Sequence, residues 1–171
     1  IAEAERFAAH LVERGIREGK VCALILRHSR QFYPLYLAID RVGAIPAVLA
    51  YPNPRLHPDK FRQGLVGMSQ RSGLDWIFTE RALEPMVKPL VDLGPSTIRG
   101  LHFPLEWEGD TTSVETCRKV IVGIASSMLP EDPLLLQHSS GTTGLQKPVL
   151  LSHQAILNHV AFYAKSIALH D

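Results

Sequence analysis

The sequence has little cysteine and almost no net charge. Its two cysteines, Cys22 and Cys117, are far apart and form no CxxC pair. This spacing argues against a zinc or redox motif and predicts two reduced, structural thiols. The formal net charge is only +1. Such a balance gives no electrostatic basis for binding nucleic acid or an anionic membrane, so we expect neither partner.

The sequence also lacks long hydrophobic runs. No apolar run is long enough to span a bilayer. The first residues, Ile1–Glu5, lack the charged-then-apolar pattern of a signal peptide. Hydrophobic residues make up 46% and charged residues 20% of the chain, which is typical of a folded protein. We therefore predict a cytoplasmic protein. Because the chain starts at Ile1 and stops in a helical pattern at Asp171, we expect one domain or subdomain, residues 1–171, of a larger protein.

What is present is an alternation of strand and helix patterns along the chain. Apolar runs of strand length predict strands at 21–26, 45–50, 134–136 and 149–151. Mixed stretches that contain apolar residues predict two further strands at 75–79 and 97–103. Helical spacing of apolar residues predicts helices at 2–14, 31–42, 59–69, 111–128 and 153–169. We expect Pro85 and Pro89 to limit any helix in 80–93. Together these patterns predict an α/β layered domain with a mostly parallel sheet flanked by helices.

The last predicted helix, 153–169, follows Ser152, which is a plausible N-cap. Its apolar residues recur at helical spacing, so we expect one face of the helix to be buried. The residues expected to point inward are Ile156, Val160 and either Tyr163 or Ala164.

The segment 138–148 is rich in glycine and hydroxyl side chains and lies between two apolar runs. Glycines let backbone N–H groups turn toward an anion, hydroxyls donate hydrogen bonds, and Lys147 adds a positive charge. The segment is not a Walker A motif, because Gln146 precedes the lysine and Pro148 follows it. Composition alone leaves two interpretations, a plain turn or a phosphate-binding loop. The second would place the loop at the carboxyl end of a strand of the parallel sheet.

The order of residues in Ser139–Lys147 closely resembles the phosphate-binding signature of the adenylate-forming, or AMP-binding, superfamily. This superfamily includes acyl-CoA synthetases, fatty-acyl-AMP ligases and the adenylation domains of peptide synthetases. Two positions depart from its usual pattern, since Gln146 replaces a proline and Pro148 a glycine. Other segments that resemble the family, in the same order, are Gly15–Val21, Tyr36–Val48, Asn53–Leu56, Asp132–Pro133 and Val149–His153.

The resemblance implies that the loop binds the phosphates of ATP. The implied binding residues are Ser139, Ser140, Gly141, Thr142, Thr143, Gly144 and Lys147. It implies no catalytic residue and no metal ligand in this chain. The family's adenine- and ribose-binding segments and its catalytic lysine would lie beyond Asp171. We therefore expect the N-terminal subdomain of an AMP-binding large domain, inactive in isolation.

A full enzyme of this kind would activate a carboxylic acid with ATP and Mg²⁺ and release pyrophosphate. The acyl group would then pass to coenzyme A or another thiol. We predict an N-terminal fragment of such an acid–thiol ligase, of the acyl-CoA synthetase type. Its expected partners are ATP, a small carboxylic acid and the remainder of the same enzyme. Two alternatives stay open: a peptide synthetase adenylation domain, and a non-catalytic interaction module, which Gln146 and Pro148 favour.

The remaining candidate residues have simple structural interpretations. His153 and His159 are six positions apart and do not align on one helical face, which argues against a zinc site. We interpret His138 as a packed or loop histidine, Trp76 as a core aromatic residue, and Arg27 and Arg55 as surface residues.

Overall fold

The computed structural model describes residues 1–53, 55, 57–92, 96–107, 114–139 and 147–167. The helices within these residues are α1 (Ala2–Glu13), α2 (Phe32–Arg41), α3 (Pro58–Ser72), α4 (Glu84–Asp92), α5 (Val114–Ser127) and α6 (His153–Ser166). The strands are β1 (Val21–Ile25), β2 (Ile45–Val48), β3 (Leu74–Thr79), β4 (Gly100–His102), β5 (Pro133–Ser139) and β6 (Lys147–Ser152). Short 3₁₀ turns cover Arg81–Leu83 and Pro104–Glu106.

Four strands form a parallel sheet in the order β2-β1-β3-β4. The central strand β1 is buried along its whole length, as its unbroken apolar sequence predicts. Successive side chains of a strand point to opposite faces. Accordingly, Cys22 and Leu24 pack with α1, α2 and α5, whereas Ala23 and Ile25 pack with α3 and α4. The predicted α/β layered domain and the parallel pairing of β1 with β2 are confirmed.

The strands β5 and β6 form a separate antiparallel, two-stranded sheet beside the parallel one. This sheet is called the hairpin below. The expectation that the strand before the loop belongs to the parallel sheet was wrong. The segment 140–146 is too short for the crossover that two parallel strands need, but a hairpin can use it. Only Leu136 of the predicted buried run 134–136 is fully buried, at 5% exposure.

Helix α4 corrects the expectation that two prolines limit helix formation in 80–93. Pro85 is the second residue of the helix, where a missing N–H costs little. Pro89 lies inside the helix. Val87 and Leu90 are buried in the core around α3 and β3, and their burial offsets the cost of the internal proline.

Helix α6 corrects the expectation of a buried apolar face. No α6 residue that the structure describes is buried. Val160 and Tyr163 are 57% and 59% exposed, and Ile156 and Ala164 are half-buried. The predicted N-cap is confirmed, because the Ser152 hydroxyl accepts a hydrogen bond from the Ala155 N–H at 3.2 Å.

Three other features were tested by the structure. Both cysteines are buried and free. Trp76 is half-buried against the core, and Arg27 and Arg55 are exposed, as predicted. None of the helices in the described part of the chain combines the length and apolarity that crossing a membrane requires.

Candidate phosphate-binding site

Two of the predicted phosphate-binding residues meet at the end of the hairpin where the segment 140–146 joins its strands. Ser139 ends β5, Lys147 begins β6, and the two residues are partners in the strand register. The Ser139 hydroxyl donates a hydrogen bond to the Lys147 carbonyl oxygen at 3.4 Å. Both residues are exposed. The register pairing thus places a serine and a lysine at one accessible end of the hairpin, and both residue types suit an anion.

The remaining predicted members lie outside the described residues, and their role stays a prediction. They are Ser140, Gly141, Thr142, Thr143 and Gly144. Gln146, one of the two departures from the family pattern, also lies outside them.

The second departure, Pro148, is a strand residue of β6. It pairs in register with His138 of β5. In a two-stranded sheet each strand has an edge that needs no ladder partner, so a proline can be accommodated. The proline therefore lies in the strand that leaves the predicted loop. At the two ends of the predicted loop 138–148, the residues His138, Ser139, Lys147 and Pro148 are therefore strand residues.

His138 connects the hairpin to the body of the domain. Its Nε2 lies 2.7 Å from the hydroxyl of Ser72, the last residue of α3. Its Nδ1 is buried and has no hydrogen-bond partner among the described residues. Burial lowers the pKa of His138 below its usual value, so the ring is neutral near pH 7. The prediction of a packed histidine is confirmed.

The other end of β6 is anchored through the start of α6. The backbone N–H of His153 donates to the Asp132 carbonyl at 3.1 Å, and the Asp132 carboxylate accepts from the Leu129 N–H at 2.6 Å. The His153 ring also faces Asp40 of α2, with Nε2 and Oδ1 3.4 Å apart. Burial raises the pKa of Asp40, while the nearby His153 and Arg41 act in the opposite direction.

Sequence reasoning missed both partners that the body contributes, Asp40 and Ser72. Ser72 is 66 positions from His138. Neither residue carries a local motif, so only the fold reveals the contact.

A cleft of about 440 Å³ opens beside β5, between α2 and the end of β2. Its lining is mostly aromatic and aliphatic, with Gln137 and His138 as polar members. The lining residues are Phe32, Tyr33, Tyr36, Val48, Leu135, Leu136, Gln137 and His138. The cleft suits an apolar group, and the sequence did not predict it.

The described side chains fit an anion better than a metal ion. Within the described ranges, no group of three or more His, Cys, Asp or Glu residues could hold a metal ion. The donors at the hairpin end are a hydroxyl and an ammonium group, which suit phosphate oxygens. A Mg²⁺ ion at this place would depend on phosphate oxygens for its ligands.

Comparison with known proteins gives an independent result. The model of the AMP-binding enzyme family matches residues 2–170. The 4-coumarate–CoA ligase CCL1 of Humulus lupulus is 29% identical over 163 residues, which cover 91% of this chain and 28% of the relative. A 4-chlorobenzoate–CoA ligase of Arthrobacter sp is 27% identical over 165 residues, covering 96% of this chain and 29% of the relative. The chain thus spans less than a third of the length of these relatives.

The fold agrees with that of a solved adenylate-forming enzyme. The fatty acyl-adenylate ligase from L. pneumophila, solved with acyl adenylate and pyrophosphate, superposes with a TM-score of 0.71. The match covers 99% of this chain and 27% of that enzyme, at 16% sequence identity. At this identity the likeness concerns the fold alone.

Proposed function

We propose a function from one premise, that the chain belongs to the family of AMP-binding enzymes. A protein containing this chain activates a carboxylic acid with ATP, forms an acyl adenylate and releases pyrophosphate. The chain contributes the phosphate-binding segment as an N-terminal subdomain. The observation that carries the proposal is the pairing of Ser139 with Lys147 at the two ends of the Ser/Thr/Gly-rich segment.

Each proposed residue has a physical role in holding phosphate. ATP supplies the adenylyl group when bound. Negative charge builds on the departing pyrophosphate, and donors already in place stabilise that charge. Lys147 supplies a charge-assisted contact, while hydroxyl groups and glycine N–H groups supply further donors. The proposed set is Ser139, Ser140, Gly141, Thr142, Thr143, Gly144 and Lys147.

The names of the relatives support an acid–thiol ligase of the acyl-CoA synthetase type. Two of them are coenzyme A ligases of 4-coumarate and 4-chlorobenzoate. We therefore take coenzyme A as the acyl acceptor and an acid with an apolar body as the substrate class. A peptide synthetase adenylation domain would instead pass its acyl group to a carrier-protein thiol. Acyl transfer to free coenzyme A by the complete enzyme distinguishes the two.

Calorimetry on the chain tests phosphate binding. We expect Mg·ATP and pyrophosphate to bind, and Lys147→Ala to weaken the binding by about tenfold, because a charge-assisted contact is lost. The exposed Lys165 of α6 offers a matched control, since Lys165→Ala removes the same charge away from the hairpin end. Equal weakening by both substitutions, or no binding by the unmodified chain at millimolar ligand, would contradict the proposal.

Pyrophosphate exchange tests the role of the chain as a subdomain. We expect no carboxylate-dependent exchange between ATP and pyrophosphate by the chain alone, because the chain spans less than a third of the length of the ligases it resembles. Clear exchange would refute this. The second candidate function, a non-catalytic interaction module, draws support from the exposed apolar side chains of α6. Failure of phosphate binding in a complete protein would favour it.

A further inference from the structure

We propose that Ser72 and His138 form a positioning pair that fixes the end of the hairpin where Ser139 and Lys147 meet. The inference rests on the proposed phosphate binding of these two residues. The pair joins the last residue of α3 to the residue directly before Ser139, with 2.7 Å between the Ser72 hydroxyl and His138 Nε2. Neither residue needs to touch the ligand.

The hairpin needs such a contact because its backbone ladder is separate from the parallel sheet. A two-stranded hairpin is marginally stable in isolation and depends on packing against other elements. The first four residues of β6, Lys147–Leu150, are exposed. The placement of the hairpin end therefore depends on the side chains of β5.

The alternation of side chains along β5 explains why His138 can set the direction of Ser139. Leu136 and His138 lie on the face of β5 that packs on the body, and Leu136 is buried in the core with Leu65 of α3. Gln137 and Ser139 are exposed on the opposite face. Fixing the His138 ring therefore fixes the strand one residue before Ser139, and the register pairing passes that placement on to Lys147.

Ser72 is held by a well-anchored helix end. Helix α3 buries Phe61, Leu65 and Ser69. Gly73, the residue after Ser72, caps the helix with a left-handed backbone (φ +64°), and its N–H donates to the Ser69 carbonyl at 2.8 Å. A hydroxyl at this place has a defined position, as a positioning contact requires.

The His138 ring has an expected tautomer. Its Nδ1 is buried and has no described partner, and an unpaired buried N–H is rarer than an unpaired acceptor. We therefore assign the proton to Nε2, which donates to the Ser72 hydroxyl. This predicts an imidazole N–H resonance that is protected from exchange with water. Loss of the hydroxyl in Ser72→Ala would remove that protection.

The test compares Ser72→Ala with two other substitutions. Ser72→Thr keeps a hydroxyl at the same place. Ser127→Ala is the matched control, because Ser127 also ends a helix, α5, and its hydroxyl bonds only locally to the Ile124 carbonyl at 2.8 Å. We expect Ser72→Ala to weaken pyrophosphate binding by about fivefold, from the loss of one partly buried hydrogen bond. Ser72→Thr should restore it, and Ser127→Ala should leave it unchanged.

A measurement without ligand separates this inference from the proposed function. Amide hydrogen exchange at Ser139 and Lys147 should become faster in Ser72→Ala but not in Ser127→Ala. If exchange and the imidazole signal are the same in Ser72→Ala and the parent, the positioning pair is refuted, whatever the chain binds. If exchange becomes faster but no variant binds pyrophosphate, the pair is supported and the proposed function fails. Faster exchange with unchanged pyrophosphate affinity would refute the pair's role in binding.

Discussion

At the scale of single residues, Gly100 shows how closely the parallel sheet is packed. It is the register partner of Trp76, and a Cβ at position 100 would lie 2.9 Å from the indole Cζ3. The indole is rigid and packs against the core, so it cannot easily move away. We expect Gly100→Ala to lower the free energy of unfolding by about 1–3 kcal/mol, measured by urea titration.

Gly123 is the natural control for this substitution. It lies in α5, and a Cβ there would have nothing within 4 Å. Gly123→Ala should therefore raise the free energy of unfolding by roughly 0.5–1 kcal/mol through helix propensity. Equal changes in the free energy of unfolding for the two substitutions would show that the close approach of Gly100 to Trp76 does not affect stability.

His102 makes the stability of the domain depend on pH. Its ring stacks on Phe78 at 5.2 Å, and burial, aided by the positive charge of Arg14, lowers its pKa to about 4. The unfolded chain takes up a proton near the usual value of 6.5, but the folded chain does so only near 4. The stability that the neutral His102 ring contributes is therefore fully present above about pH 6.5 and is lost progressively as the pH falls to about 4.

The substitution His102→Phe isolates this effect, because it keeps an aromatic ring but removes the titrating group. The urea midpoint should fall less between pH 7 and pH 4.5 in this variant than in the parent. If both proteins lose the same amount, His102 does not contribute to the acid sensitivity.

At the scale of elements, α4 contains a proline whose cost can be measured. Pro89 lies beyond the first turn, so it removes one helix hydrogen bond and crowds the preceding turn. Pro89→Ala should raise the free energy of unfolding by about 1 kcal/mol or more. The regained helix hydrogen bond outweighs the greater conformational entropy that the unfolded chain has without the proline. The matched substitution Pro85→Ala, in the first turn, should change it little. A destabilised Pro89→Ala variant would contradict this account.

The sequence predicted these elements well where a local pattern determines the outcome. The apolar runs at β1 and β3 and the helical spacing in α1 and α2 each led to the correct element. The prediction failed where a distant contact decides. Burial of Val87 and Leu90 overrides the internal Pro89 of α4. Three consecutive leucines do not reveal whether a strand pairs parallel or antiparallel.

The same limit applies to the candidate site. Residue order made Ser139 and Lys147 candidates, and the structure pairs these two residues across the hairpin, while their role in binding phosphate stays a prediction. The sequence could not identify Ser72 or Asp40, because these residues belong to helices that are far from the hairpin in the sequence. Periodicity also showed that α6 has apolar residues, but not whether another element covers them. In the described structure Val160 and Tyr163 remain exposed.

At the scale of the whole molecule, the layered body and the hairpin differ in how far they are buried. The body buries β1 between two layers of helices. The hairpin lies beside that body, and Ser139 and Lys147 are exposed at the end where the segment 140–146 joins its strands. We therefore expect a bound anion to change the amide chemical shifts at the hairpin end and to leave those of the buried core unchanged.

The most direct test of phosphate binding is a titration of the isotope-labelled chain with pyrophosphate, followed in its amide spectrum. The account predicts saturable shifts of the amides from Ser139 to Lys147, with Gly141 and Gly144 among them, and none at Gly123 of α5. The account would be contradicted if the amide chemical shifts of this segment did not change at millimolar pyrophosphate. Shift changes spread evenly over the chain would also contradict it.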